Sequence, residues 1–432
     1  MPSLVGHVQD CIDRAAAATE IMEICLVARR DEDALAEAAA VDPMLPLAGD
    51  VVTAKACFDV AGWTTHAGSA VLADAPPAET DAPMVRALRS AGAILLAQTN
   101  MTEFAYGALG LNSTYGTPTT PMRPGEHRVS GGSTSGGAVA VALGVADISL
   151  GSDTSGSIRI PAAFCGVAGF KPSQGRYPTG GMIPLAPSFD APGLIAPTVA
   201  RLRRVDLALV DRNRRQVAGE SAARSIADLH LLVPTDTIAA GQTDREVLDR
   251  FGQWLAALAT AGATITELEM PMLTQAGIAA REGSVIAVEA YDWHRDLIAT
   301  HLDRYDPRVG SRILHGATVP AADYVAALRR IDDCRRRYDA AFGNADAVVT
   351  PTVPVLPPRV ADLASMEAYL SANTEVLRLT EFANRLDLPS VSLPGRPDDR
   401  EPIGLMVTGR RGGDAVLLDL AALIEPCLVG GN

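Results

Sequence analysis

Two stretches of this chain concentrate the residue types that do chemistry. Gly131-Gly132-Ser133-Thr134-Ser135-Gly136-Gly137 and Gly151-Ser152-Asp153-Thr154-Ser155-Gly156-Ser157 are both glycine–hydroxyl loops, and an alanine/valine run separates them. Hydroxyls supply nucleophiles. Glycines let the backbone approach a substrate closely, and successive N–H groups in such a loop can form an anion-binding nest. Together they suit acyl transfer, with serine attack and backbone amides stabilising the oxyanion. Serine is a weak nucleophile and needs a base. Here the composition points to candidates, because the 37 cationic residues include two lysines only, Lys55 and Lys171. A desolvated lysine can lose its proton and act as a base, whereas arginine stays charged.

Other chemistries fit the same loops less well. A phosphate-binding P-loop needs a lysine that neither loop contains. The G-x-S-x-G nucleophile elbow is absent from both, and S-x-x-K is missing around both lysines. His66 and His127 are the histidines nearest to a glycine-rich setting, and both read as loop or surface residues. The cysteines at 11, 25, 57, 165, 334 and 427 include no C-x-x-C pair, so neither zinc nor dithiol chemistry is suggested. Cys165 reads as a buried core residue. No metal or organic cofactor is expected.

The elements that must position these residues follow from periodicity. Helix is expected over 8–40, 82–92, Ala138–Val145, Ile158–Ala163, 373–386 and 413–425, and for most of 200–345. Strand is expected over 49–55, Ala93–Ala97, Ile148–Leu150, Leu229–Val233, Thr264–Leu268, Ala347–Pro351, Ser390–Leu393 and Ile403–Val407. Alternating strands and helices imply an α/β sheet covered on both faces, with parallel pairing in much of it. A net charge of −14 argues against a nucleic-acid partner. The basic run Arg201–Arg204 with Arg212, Arg214 and Arg215 reads as a solvated helix face. No signal-peptide pattern and no run of about 18 apolar residues appears, so the expectation is a soluble cytoplasmic protein without membrane association.

The stretch GGSTSGGAVAVALGVADISLGSDTSGSIRIPAAFCGVAGFKPSQGR (131–176) resembles the signature of the amidase signature family. The likeness extends through AKACFDVAGWTTHAGS, DAPMVRALRSAGAILLAQTNMTEFAYG and NSTYGTPTTP upstream. It continues through EFANRLDLPSVSLP and PIGLMVTGRRGGDAVLL downstream, covering about half of the chain. The resemblance implies a mixed central sheet in an α/β/α fold. It also implies one domain over 1–432, with a signature core at about 50–200, a variable region at about 200–345 and a core return at 346–432.

Carried over residue by residue, the resemblance makes Ser157 the nucleophile, Ser133 the bridging serine after a cis peptide bond, and Lys55 the base. It makes the N–H groups of Thr154, Ser155, Gly156 and Ser157 the oxyanion hole. Gly131, Gly132, Tyr106, Arg159 and Met182 are candidate substrate contacts, with Trp293 and His294 as further ones. Asp153 and Arg159 resemble loop-stabilising positions that could pair with each other, and Lys171 resembles a structural position. Three departures stand out: Ala56 follows Lys55 where the family has Asp, Ser155 replaces a glycine, and the first loop reads GGSTSGG.

The implied activity is hydrolysis of a small carboxylic amide through a serine acyl-enzyme, releasing ammonia or an amine. A ureide hydrolase of the allophanate or carboxybiuret type stays open. So does a glutaminase-type amidotransferase subunit, although Ile160 stands where that subunit usually has Gln. A non-catalytic binding or assembly protein on the same fold is the alternative of another class. The resemblance also admits a homodimer.

Overall fold

The computed structural model describes residues 3–210, 225–395 and 402–429. Arg212, Arg214 and Arg215 lie outside the described residues. Eleven strands form one sheet: β1 (Leu26–Arg29), β2 (Val51–Lys55), β3 (Ile94–Thr99), β4 (Ile148–Asp153), β5 (Ala168–Lys171), β6 (Ala191–Ala196), β7 (His230–Pro234), β8 (Thr264–Leu268), β9 (Ala347–Pro351), β10 (Ser390–Pro394) and β11 (Gly404–Thr408). Their order is β1-β3-β2-β4-β6-β5-β10-β11-β9-β7-β8. Helices pack on this sheet, which is the α/β architecture the sequence implied.

Parallel pairing is less extensive than the alternation suggested. It is confined to β2 with β3 and β4, and β7 with β8 and β9. The middle of the sheet, from β4 through β6, β5, β10 and β11 to β9, is antiparallel throughout. The difference comes largely from β5 and β6, which carry glycine or proline in AGFK and APGLIA and so fail strand periodicity. Gly193 in β6 is needed there, because a Cβ would fall on the Phe170 carbonyl oxygen. The expected helix 8–40 is broken too. Helices Leu4–Ala17, Thr19–Cys25 and Asp31–Ala40 flank the short strand β1, which pairs antiparallel with β3 at the sheet edge.

The register of β2 and β4 sets up the site. They run parallel, with Val52 opposite Ile148 and Ala54 opposite Leu150. Lys55 at the end of β2 and Ser152-Asp153 at the end of β4 therefore emerge side by side. The helix Ser135–Ala142 between them shows no polar face and is buried at every residue but Ala142, as expected for a helix inside the core. Its glycines permit that depth, since a Cβ on Gly136 would meet the backbone of Cys25 and Asn100. The helix Arg159–Cys165 ends at Gly166 in the left-handed conformation (φ 68°), a common helix stop. The Arg201–Arg204 run lies on the helix Val199–Leu209, where Arg203 and Arg204 are exposed as expected. It is also tied down: Arg201 reaches Asp50 and Asp147, Arg204 reaches Asp50, and Arg203 reaches Asp419.

Candidate active site

Lys55 is completely buried. Its Nζ donates to Ser133 Oγ at 2.7 Å and to Ser152 Oγ at 2.8 Å, with the Ser152 carbonyl at 3.4 Å. Burial lowers its pKa below the ordinary lysine value, although Cys57, Asp153 and Asp190 pull the other way. Removing an ammonium from water favours the neutral amine, the form a base requires. The Gly132–Ser133 peptide is cis. The Thr134 N–H donates to the Ser157 carbonyl at 3.1 Å, which ties the first loop to the backbone of Ser157. The three residues carried over from the family pattern thus gather around the carboxyl ends of β2 and β4.

The loop bearing Ser157 hangs on a buried ion pair. Arg159 Nε and Nη2 donate to the two Asp153 oxygens at 3.0 and 2.9 Å, with both side chains fully buried. Asp153 also accepts from the N–H groups of Gly156 (2.7 Å) and Ile158 (3.1 Å), and Asn384 donates to it at 3.0 Å. Burial by itself raises the Asp153 carboxyl. Arg159 and the hydrogen bonds outweigh that and hold it well below the usual carboxylate range. The remaining Arg159 donors reach the Thr380 carbonyl at 2.9 Å and Asn384 Oδ1 at 2.7 Å.

Two candidate assignments change as a result. Arg159 is spent on holding the loop and does not line the cleft, so it is not a substrate contact. Gly156 gives its N–H to Asp153, which leaves Thr154, Ser155 and Ser157 as the oxyanion candidates. Thr154 is itself held through its hydroxyl, which donates to Asp190 at 2.5 Å.

A cleft opens beside Ser157. Its inner chamber, about 40 Å³, is lined by Thr154, Ser155, Ser157, Tyr106, Leu185 and Arg312 among others. An outer cavity of about 370 Å³ shares Tyr106, Ser155, Ile286, Arg312, Asn373 and Leu377 with it. Tyr106 therefore lies where a substrate contact should. Ser155 also faces the cleft, and its Oγ accepts from Arg385 at 2.8 Å. Gly131 and Gly132 sit behind the wall instead, since a Cβ on either would strike Pro161 or Gly110. Met182 bridges to Phe58 and packs in the core. His294 is buried against Phe104, with Nδ1 at 2.9 Å from the Tyr305 hydroxyl, and Trp293 packs beside it. Met182, Trp293 and His294 are absent from the walls of both cavities.

Lys171 has a structural environment: it is fully buried in β5 and donates to the Pro172 carbonyl at 2.6 Å. Cys165 is buried, and burial pushes its thiol pKa up, away from a thiolate. His66 lies in a loop, as expected, and is buried there, and burial lowers it to about 4.

Sequence reasoning missed several contributors. Ser152 lay in plain view in the second loop. It gains its role only because β4 runs on to Asp153, which turns its hydroxyl toward Lys55. Arg385 and Asn384 sit in the quoted EFANRLDLPSVSLP segment, where two polar side chains precede an apolar strand and could have been flagged. Arg312 carries no local signal. It reaches the cleft from the helix Pro307–His315 in the variable region.

A family model described as Amidase matches residues 7–418. The chain is 32% identical to a 2-amino-5-chloromuconic acid deaminase of Comamonas testosteroni, covering 91% of this chain and 86% of that one. It is 34% identical to the 1-carboxybiuret hydrolase subunit AtzE of Pseudomonas sp. (strain ADP), covering 94% and 92%. A solved structure described as an amidase superposes with a TM-score of 0.86 at 32% identity, over 99% of this chain and 96% of that one. The chain belongs to the amidase family, and its activity is that of an amide C–N hydrolase.

Proposed function

We propose that Lys55, Ser133 and Ser157 form the catalytic machinery and that hydrolysis passes through an acyl-enzyme on Ser157. The observation that carries this reading is the 2.7 Å hydrogen bond from a fully buried Lys55 to Ser133, behind a cleft that Ser157 lines. Neutral Lys55 takes the Ser133 hydroxyl proton while Ser133 takes that of Ser157. The Ser157 oxygen attacks the amide carbonyl carbon, and N–H groups of Thr154, Ser155 or Ser157 receive the oxyanion. The C–N bond then breaks as the relay returns the proton to the leaving nitrogen, releasing ammonia or an amine. Water, deprotonated by the same relay, cleaves the ester to a carboxylate and restores Ser157.

A small carboxylic amide suits the size of the cleft. The ureide reading is favoured by one observation, the similarity to a 1-carboxybiuret hydrolase subunit. A reducing, cytoplasmic setting is supported by six free cysteines, five of them buried. No helix among the described residues is long and apolar enough to cross a membrane.

The test is covalent labelling by a fluorophosphonate together with ammonia release from a panel of small amides and ureides. Labelling at Ser157, with both signals lost in Ser157→Ala, is the expected result. Full activity in purified Ser157→Ala protein refutes the assignment.

A further inference from the structure

The cleft beyond Ser157 is cationic, although the chain as a whole carries a net charge of −14. Arg281, Arg312, Arg385 and His315 line the outer cavity against one carboxylate, Glu381. That carboxylate is already engaged: Oε1 accepts from Arg281, and Oε2 lies 3.5 Å from Arg385. Three guanidinium groups therefore face the cavity with one carboxylate between them. One of these, Arg385, is fully buried, and its Nε has no hydrogen-bond partner among the described residues. Its other nitrogens donate to the Thr154 carbonyl and Ser155 Oγ at 2.9 and 2.8 Å.

Arg312 is placed to bind a ligand. It lines both the inner chamber and the outer cavity, so it stands at their junction. Its guanidinium packs over the Tyr106 ring, 4.0 Å from the centroid, and Nη1 donates to the Tyr106 carbonyl at 2.9 Å. These contacts fix its orientation before any ligand arrives, which reduces the ordering cost of binding. No carboxylate among the described residues forms an ion pair with it. A guanidinium offers five N–H donors in a planar fork that matches a carboxylate. An apolar substrate tail would leave Arg312 without an ionic partner, whereas a carboxylate would supply one.

We propose that the substrate is an amide whose far end carries a carboxylate, held by Arg312 while the amide carbonyl lies at Ser157. The proposal rests on the reading of Ser157 as the nucleophile, for it uses that residue to fix which end of the substrate lies inward. The cavity volume suits a short chain, at the small end of ordinary ligand pockets.

Calorimetry on Ser157→Ala protein, which cannot consume the ligand through that residue, tests the proposal directly. The ligands are the monoamides of succinic, glutaric and adipic acid. Each is compared with a neutral amide in which an isopropyl group replaces the carboxylate. At least one monoamide is expected to bind about 10- to 100-fold more tightly than its neutral counterpart. Arg312→Gln in the same background brings that ratio near one, and Arg312→Lys keeps part of it by keeping the charge. A ratio near one at all three lengths overturns the proposal, as does a ratio that survives Arg312→Gln. Fluorophosphonate labelling of wild-type protein reports on Ser157 separately. A carboxylate preference without labelling removes the nucleophile and leaves the anion site standing. Labelling without preference does the reverse.

Discussion

Replacing Lys55 by arginine isolates basicity from charge. A free lysine titrates near 10.4 and arginine at about 12.5–13.8, a gap of roughly two to three and a half units. Burial shifts both groups toward neutrality, so the gap survives to first order. At any pH below both values, the neutral fraction of the side chain falls by the gap itself, about 10²- to 10³-fold. If Ser157 reacts only when residue 55 is neutral, kcat/KM falls by the same factor. The pH profile carries a second signature. Wild-type kcat/KM rises about tenfold per unit and levels off at the Lys55 pKa, which burial places below the ordinary lysine value. The variant keeps rising through pH 10.

Initial-rate ammonia release from pH 6 to 10 measures both signatures. Fluorophosphonate labelling rates provide a check that does not depend on the substrate chosen. Arginine is also larger, and Ser133 and Ser152 hydroxyls stand 2.7 and 2.8 Å from the amine, so overpacking could cost about 1–3 kcal/mol of stability. A thermal melt of each protein separates that effect from lost basicity. A Lys55→Arg enzyme within fivefold of wild type across this range refutes the proposed role of the lysine.

Other outcomes follow from the same geometry. Arg159→Leu strands a buried carboxylate and destabilises the protein by about 3–5 kcal/mol, read from urea unfolding. In wild type Asp153 is held low, so its contribution is complete above about pH 4 and is lost only as pH falls further. In the variant, burial raises that carboxyl instead, so the penalty grows with rising pH. A penalty that stays the same from pH 5 to 8 contradicts this account. Gly156→Ala places a Cβ on the Thr380 hydroxyl and Ile160, at a φ of 143° that side chains rarely adopt. It should lower kcat by at least tenfold and destabilise the fold, and near-normal turnover argues against a rigid loop. Burial, with Arg159 adding to it, lowers Lys171 to about 8, while the unfolded chain keeps a value near 10.4. The unfolded state binds the extra proton in that window, so the cost that burying Lys171 imposes on folding is relieved progressively from pH 8 to 10. The stability of wild type minus that of Lys171→Met should therefore climb across this range, and a flat difference refutes the shift.

How much of this was legible in the sequence depends on how local each signal is. Ser133, Ser157 and Lys55 could be named because their segments resemble the amidase signature, whereas residue types alone left both lysines and every loop serine open. The strands β2 and β4 that bring them together were expected from the short segments 49–55 and Ile148–Leu150, although β4 runs three residues further, to Asp153. By contrast, β1 is four residues between the helices Thr19–Cys25 and Asp31–Ala40, and only its pairing with β3 makes it a strand. Pro192 and Gly193 hide β6, which the sheet tolerates because its neighbours leave room for a bare backbone. The oxyanion segment was named in full, yet Gly156 drops out because Asp153 folds back three residues to take its N–H, a contact that composition cannot show. Arg159 carried two readings, a loop-stabilising partner of Asp153 and a substrate contact, and the structure shows the pair with Asp153. Its direction was decided by Asn384 and Thr380, more than 200 residues away.

Both lysines are sealed inside the fold, and no other position in the chain carries an ε-amine. The native surface is therefore almost silent to amine chemistry. Acylating dyes, aldehyde fixatives and lysine-directed cross-linkers should find the chain's α-amino group and little else. Any such reagent that enters the cleft and modifies Lys55 would report on access to the interior without competition from the outside.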